Sequence, residues 1–343
     1  MSNIREIAER SGVSVATVSR VLNGFTGVSD ETRKKVLAAA EELDYAPSAA
    51  ARALVTRRSL LIGVVLLTGD QPEFQHPYFQ VVLDGVKNAL DREGYDLLLL
   101  GGDVESSGED TYVERSRRHR VDGVILMGAG FDNPEVERLV GLGLPTVAVD
   151  LELQGKRAGF VSSDNVEGAR LAVRHLHECG CRRVATITGM SHTSPGVERL
   201  RGYELEIKKL KLPKQAELVR AGDFYVETGH RGMKELLALA EPPDGVFAAS
   251  DLSALGAMRA IQEQGLRVPE DVAVVGFDDI QFAALASPPL TTIRQNKVAI
   301  GSEAVRALLA MLEDPPAPPP AIRVPVELVV RGSSCRAPRS AAG

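Results

Sequence analysis

The sequence predicts an α/β protein in which a small all-α module precedes a larger domain of two doubly wound, parallel-sheet lobes. Three observations lead there. Helical periodicity over the first 45 residues is punctuated by Gly12 and by Asn23-Gly24. From Leu60 onward, short apolar runs alternate with amphipathic stretches, the pattern of strands joined by crossover helices. Seven or more such units favour two lobes over one sheet.

In the first segment, Asn3 is placed to cap a helix, with Glu6 completing a capping box and Ile4, Ile7 and Ala8 on one face. Gly12 ends it, and Ser14 caps a second helix over Val15–Leu22. Asn23-Gly24 and Gly27 mark a loop, and Ser29 or Asp30 opens a third helix carrying Val36, Ala40 and Leu43 on one side. The predicted strands are Leu60–Leu67, Leu97–Leu100, Val124–Met127, Thr146–Val149, Val184–Thr188, Val246–Ala249 and Val272–Val275. Between them, helical patterns run over Tyr78–Arg92, Asn165–Cys179, Val197–Leu210, Thr228–Ala240 and Ser253–Gln264. Pro315–Pro320 is a connector before a last strand, Val324–Val330. The domains expected are residues 1–46, a linker at 47–58, and a two-lobed region at 59–335. Its first lobe is drawn from about 59–160 and 292–321, and its second from 161–291 and 322–335.

A chain of 343 residues, 44% hydrophobic and 25% charged, is long enough to bury such cores. Aromatic residues make up only 4%, with no Trp, so ligand stacking must fall to a few Phe or Tyr side chains. The longest apolar run, Leu60–Leu67, is too short to cross a bilayer, and the first residues lack the apolar core of a signal peptide. Three cysteines, Cys179, Cys181 and Cys335, are too few and too awkwardly spaced for a disulfide framework. A cytoplasmic protein without a membrane partner is expected. The net charge of −6 disfavours nucleic acid until its distribution is considered: residues 1–58 hold nine Lys+Arg against seven Asp+Glu, and the remainder 31 against 39. The basic excess sits in the helical module.

Stepping about 100° per residue along the second helix sorts Thr17, Val18, Val21 and Leu22 onto one arc and Val15, Ala16, Ser19 and Arg20 onto the other. The opposite arc could be an ordinary solvated face. Two features instead favour DNA: the short Gly12 turn suits a helix-turn-helix, and the outward residues are small, with an Arg in place of a Glu/Lys mixture. Arg20 can form a paired contact with guanine, and Val15 and Ala16 can meet thymine methyls. Ser14, Thr17 and Ser19 can donate to phosphates beside the helix N-terminus.

The run Ile4-Arg5-Glu6-Ile7-Ala8-Glu9-Arg10-Ser11-Gly12-Val13-Ser14-Val15-Ala16-Thr17-Val18-Ser19-Arg20-Val21-Leu22-Asn23 resembles the N-terminal signature of the lactose/galactose-repressor family. The likeness continues through Tyr45–Leu54 and resumes at Val275-Gly276-Phe277-Asp278-Asp279 and Pro289-Leu290-Thr291-Thr292-Ile293, so it spans nearly the whole chain. It implies a helix-turn-helix domain joined to an effector domain of the periplasmic-binding-protein type, with Asn23 added to the reader. It also implies that Ser48–Leu54, including Ala51 and Arg52, folds into a hinge helix when two subunits meet on a palindromic operator. Leu54 then wedges into the minor groove, an apolar insertion whose unstacking cost of a few kcal/mol is offset by added contacts. Seven residues are too few for a stable isolated helix, which fits folding on binding.

Ligands of open parallel sheets bind at the carboxyl ends of strands. Tyr78 and Phe79, Asp150, Arg199, Ser250 and Asp278 lie beyond predicted strands, and Phe224 follows Ala221-Gly222-Asp223. Two carboxylates, an Arg and an aromatic plate suit a hydroxyl-rich ligand. The resemblance implies that Asp150, Arg199, Phe224, Ser250 and Asp278 line a sugar pocket. Tyr78 and Phe79 match purine-contacting places in other members, or they plug the lobe interface. Asp251 and Asp279 read as caps. The Gly69–His76 loop is longer than the family norm and holds His76-Pro77 where Asn-Pro is common. The run His175-Leu176-His177-Glu178-Cys179-Gly180-Cys181 has metal-binding residue types but no second ligand pair, so it reads as helix-end packing, with neither metal nor cofactor expected.

A solute-binding protein of the same architecture is expected to carry a signal peptide and no helical module. For an enzyme, no nucleophile elbow, zincin, P-loop or dinucleotide motif is found, so that reading has no support in the sequence. The expected function is a ligand-responsive, sequence-specific repressor of sugar genes, with a nucleoside or purine as the alternative effector. No Leu-rich heptad tail follows Val330, which points to a homodimer over a tetramer.

Overall fold

The computed structural model describes residues 3–22, 27–45, 58–67, 76–101, 111–314 and 318–335. The chain divides into two compact units, Met1–Leu61 with His119–Asp122, and Ile62–Arg118 with Gly123–Gly343. The first contains helices α1 (Ile4–Ser11), α2 (Val15–Leu22) and α3 (Asp30–Glu42). Asn3 caps α1 by accepting from the Arg5 and Glu6 amides, and Glu6 reaches back to complete the capping box. Gly12, at φ 69°, takes the left-handed turn that ends α1. Ile7, Val18 and Val36, all fully buried, join the three helices into one core with Ala8, Val21, Ala39 and Ala40.

Among the described residues, the larger unit holds twelve strands in two sheets. They are β1 (Leu61–Leu66), β2 (Asp96–Leu99), β3 (Gly123–Met127), β4 (Thr146–Val149), β5 (Ala158–Ser163), β6 (Val184–Ile187), β7 (Val219–Arg220), β8 (Gly245–Ala248), β9 (Ala273–Asp278), β10 (Thr291–Gln295), β11 (Ala321–Val324) and β12 (Val326–Val329). The helices are α4 (Pro77–Arg92), α5 (Tyr112–His119), α6 (Pro134–Gly141), α7 (Asn165–Glu178), α8 (Ser194–Lys209), α9 (Val226–Leu237), α10 (Asp251–Glu263), α11 (Gln281–Leu285) and α12 (Lys297–Glu313). One sheet runs β11-β5-β4-β3-β1-β2 and the other β12-β10-β9-β8-β6-β7. Each contains the doubly wound order 2-1-3-4-5, in which the strand order reverses between the first and third strands. Strands β3, β4, β6, β8 and β9 at the middle of the two sheets are buried along their length, as parallel strands covered on both faces must be. In the second lobe, Val173, Leu176, Tyr203 and Phe277 pack on one face of the sheet, and Met233, Leu236, Ala257 and Ile261 on the other.

Three sequence expectations are corrected by the fold. The last strand, expected over Val324–Val330, is two strands in different sheets: β11 pairs parallel with β5 and β12 antiparallel with β10. Pro325 separates them, and its missing N–H makes it a natural break in a ladder. The lobe boundary placed at 291/292 also moves, because β10 pairs in parallel with β9 and so belongs to the second lobe. The crossings lie at Asp164, Asn296 and Pro325. The disulfide expectation fails as well, since Cys179 and Cys335 are bonded across a separation of 156 residues. No described helix is long and apolar enough to cross a membrane.

Candidate functional sites

In the helical module, α2 buries Val18 and Val21 and leaves Val15, Ala16 and Arg20 exposed, with Thr17 and Ser19 half-buried. Ser14 stands just before α2, where its Oγ accepts from the Thr17 amide at 3.2 Å and lies 2.9 Å from Thr17 Oγ1. The outward arc read from the sequence is therefore an outward arc in the fold. Val15 is 42% exposed. Asn23, Ser48, Ala51, Arg52 and Leu54 lie outside the described residues.

The larger unit contains a cavity with about 700 Å³ of empty space, open solvent at its mouth included. Tyr78, Phe79, Asp150, Arg199, Phe224 and Asp278 all line it, so the structure brings together six of the seven pocket residues expected from the sequence. Ser250 is the exception. It is fully buried, caps α10 by accepting from Ser253 N at 3.1 Å, and donates to the Phe224 carbonyl at 2.6 Å. Its place at a strand end is real, but its hydroxyl is used in fixing the backbone beneath the aromatic plate. Asp251 and Asp279 do act structurally: Asp251 accepts from Ile280 N and Thr292 Oγ1, and Asp279 pairs with Arg294 and Arg331.

The charged centre of the pocket is Arg199, on α8, and Asp278, at the end of β9, 3.5 Å apart and 4% and 3% exposed. Arg199 also donates to Asn165 Oδ1 at 2.9 Å and to the Ala249 carbonyl at 2.5 Å, and it lies 3.7 Å above the Phe277 ring. Such an Arg is held rigidly, as a buried cation must be if its desolvation is to be offset. Asp278 Oδ1 accepts from Gln295 Nε2 at 2.6 Å, whereas Oδ2 is buried without a hydrogen-bond partner among the described residues. A buried carboxylate oxygen left unpaired is costly, so a donor supplied by a ligand would be strongly favoured there.

Asp150, at the end of β4, is differently placed. Both its oxygens are engaged, by Tyr78 Oη at 2.6 Å and by Ser162 Oγ at 2.8 Å. Burial raises its pKa above the ordinary carboxylate value, and the hydrogen bonds from Tyr78 and Ser162 counter part of that rise. Burial, and then the adjacent Asp150 charge, push the Tyr78 phenol well above its usual range, so Tyr78 remains a donor. In this geometry Asp150 positions Tyr78.

Asp150, Phe224 and Asp278 share positive φ values of 64°, 77° and 121°. Non-glycine residues held there cost of order 1–3 kcal/mol each, and such strain concentrates at binding sites. Gly189 makes room for Phe224: a Cβ there would lie 2.0 Å from the Phe224 ring.

His76 caps α4, its Nδ1 accepting from Tyr78 N at 3.3 Å, with Pro77 at the first helical position. The imidazole thus does the capping that an Asn side chain would do. It also lines the cavity, edge-on to Phe79 and to Tyr225 with ring centroids 5.9 and 5.5 Å away. Burial lowers its pKa, so the ring is neutral near neutrality. Sequence reasoning missed this role, along with Tyr225, Met190, His192 and Pro195. Phe131 N donates to the carbonyl of His192 at 2.9 Å.

The model of "bacterial regulatory proteins, lacI family" matches residues 3–48, and that of a "periplasmic binding protein-like domain" matches residues 173–334. The HTH-type transcriptional regulator CelR of Thermobifida fusca is 38% identical over 329 residues, 95% of this chain and 96% of its own. The chain belongs to the lacI family of bacterial regulatory proteins. The ribose operon repressor of Halalkalibacterium halodurans is 35% identical, covering 96% of each chain. Among solved structures, a Lac repressor dimer bound to operator and the anti-inducer ONPF is 31% identical, with a TM-score of 0.84 over 98% of this chain and 99% of that one. A CelR–cellobiose complex is 35% identical, with a TM-score of 0.73 over 97% and 100%. As a lacI-family member, the chain is a ligand-responsive, DNA-binding transcription regulator.

Proposed function

We propose that the chain is a cytoplasmic, homodimeric repressor whose effector is a sugar bound in the Arg199–Asp278 pocket, and whose operator is palindromic. The observation that carries the effector reading is the unpaired, buried Oδ2 of Asp278 beside a rigidly held guanidinium and the Phe224 plate. A carboxylate and an Arg bind neighbouring hydroxyls, and an aromatic face covers the apolar side of a pyranose ring. The relative CelR, seen with cellobiose, makes that disaccharide the first probe. In the reader, Arg20 contacts a guanine edge, Val15 and Ala16 lie against thymine methyls, and Ser14, Thr17 and Ser19 face phosphates. Asn23 and the Ser48–Leu54 segment, with Ala51, Arg52 and the Leu54 wedge, complete the operator contacts. Phe282 and Leu285 on α11, 53% and 72% exposed, supply apolar surface for pairing two subunits.

The test is a thermal-shift screen of the full chain against cellobiose, other sugars, sugar phosphates and purines. It is followed by DNA-binding anisotropy with each compound that stabilises the fold. A sugar that raises the melting temperature and shifts operator affinity supports the reading. A purine that does so in place of every sugar replaces it.

A further inference from the structure

His175 and Cys179 stand one turn apart at the end of α7, and Cys335 comes to them from the far end of the chain. His175 Nε2 is 3.5 Å from Cys179 Sγ and 3.9 Å from Cys335 Sγ, and the three ligand atoms all lie within 4.8 Å of one another. With zinc–sulfur bonds of about 2.3 Å and zinc–nitrogen bonds of about 2.0–2.1 Å, a tetrahedral ion needs S···N edges of about 3.5 Å and an S···S edge of about 3.8 Å. The 3.5 Å separation to Cys179 already matches, the 3.9 Å separation to Cys335 must shorten slightly, and the sulfur–sulfur bond must open. Cys181, which the sequence places beside Cys179, is not part of this group: it is buried, with its thiol toward the Asp244 carbonyl.

The segment that delivers Cys335 is fixed independently of the disulfide. Ser333 Oγ donates to the Val274 carbonyl at 2.7 Å and accepts from Thr291 N at 2.8 Å. Ser334 Oγ lies 2.8 Å from both Thr291 Oγ1 and His175 Nε2. Breaking the disulfide therefore leaves two thiols facing the same imidazole, on a partly exposed surface: Cys335 is exposed, Cys179 half-buried and His175 buried.

We propose that His175, Cys179 and Cys335 form a redox-gated site for zinc or a similar soft divalent cation. In the reduced protein two thiolates and the neutral imidazole bind the ion, with a water in the fourth position. Hydrogen peroxide gates it. Each thiolate sulfur loses one electron, the Cys179–Cys335 S–S bond forms, the peroxide O–O bond takes up two electrons and two protons to give two waters, and the cation leaves. A dithiol reductant reverses the sulfur chemistry by exchange, ending as its own disulfide.

The experiment uses the full chain, reduced under anaerobic conditions, titrated with zinc chloride against a chromophoric zinc chelator. One zinc per chain is expected, with affinity falling on the order of 100-fold in C179S and in C335S. C181S is expected to match wild type. Cobalt(II) substitution is expected to give thiolate-to-metal charge-transfer absorption, lost in C335S, which tests ligation directly in a variant altered only at an exposed position near the chain end. Hydrogen peroxide is expected to release the zinc with loss of two thiols per chain. Equal zinc binding by C335S and wild type, absence of the charge-transfer band, or retention of zinc after the two thiols are oxidised would each overturn the proposal.

Discussion

Replacing Asp278 by Asn keeps the shape of the pocket and removes the charge that makes it a receptor for hydroxyls. The Asn oxygen can still accept from Gln295, so the 2.6 Å contact under the pocket is preserved. What changes is the position of Oδ2, which in the native chain is a buried acceptor with no protein donor among the described residues. In the variant an amide NH2 stands there and cannot accept. A hydrogen bond to a charged group contributes about 1.5–3 kcal/mol, which corresponds to roughly 10- to 150-fold in Kd. Arg199 loses its anion, but it keeps the Ala249 carbonyl, Asn165 and the Phe277 face, so the fold is expected to survive with a loss of roughly 1–3 kcal/mol. The assay is isothermal titration of the first sugar found to stabilise the wild-type chain, beginning with cellobiose, with melting temperature as the folding control. A Kd within twofold of wild type in a folded variant would refute the assignment of Asp278 as the hydroxyl acceptor.

Other substitutions separate the remaining roles. Arg199→Met leaves the buried Asp278 carboxylate uncompensated and is expected to destabilise by about 3–5 kcal/mol in denaturant titration; a loss below 1 kcal/mol would show the pair to be dispensable. Arg20→Ala is expected to cost about 1–3 kcal/mol of sequence discrimination with little change in melting temperature, read by anisotropy on matched and mismatched duplexes. His76 carries a pH signature. Its folded pKa is held below the ordinary 6.5 by burial, so between those two values the unfolded chain binds more protons and stability rises with pH. The stability it contributes is present above about 6.5 and is lost as pH falls toward the folded pKa. Wild type is thus expected to lose more melting temperature between pH 7.5 and 5.5 than His76→Gln, and an equal loss would contradict a buried neutral imidazole.

The helical module was legible because its signals are local. A capping box, a left-handed glycine and a 3.6-residue apolar spacing each act within a turn or two, and all three stand in the fold as the residues imply. Strand ends were legible for a related reason, since parallel sheets present ligands to the residues that follow their strands, which located Asp150, Phe224 and Asp278. Ser250 shows the limit. A serine after a strand and before a helix serves equally as ligand donor or helix cap, and only the distance to Ser253 N and the Phe224 carbonyl decides between them. Long-range pairings were not legible at all. Nothing local to Cys335 indicates that it meets Cys179, and nothing in Val324–Val330 says that the chain changes sheets at Pro325. His76 was noticed as a departure, but its part as both cap and pocket wall needed the geometry of α4.

The central claim is that one chain both reads DNA and lets a small molecule alter the reading. The direct measurement selects duplexes from a random pool with the full chain. The selected site is then titrated with and without the sugar that stabilises the fold, at fixed salt because phosphate contacts make affinity steeply salt-dependent. The account predicts a palindromic site and a sugar-dependent change in operator Kd. By linkage, the sugar's own affinity must change by the same factor when operator is bound. Recovery of no preferred sequence, or an operator Kd unmoved by every compound that stabilises the fold, would contradict it.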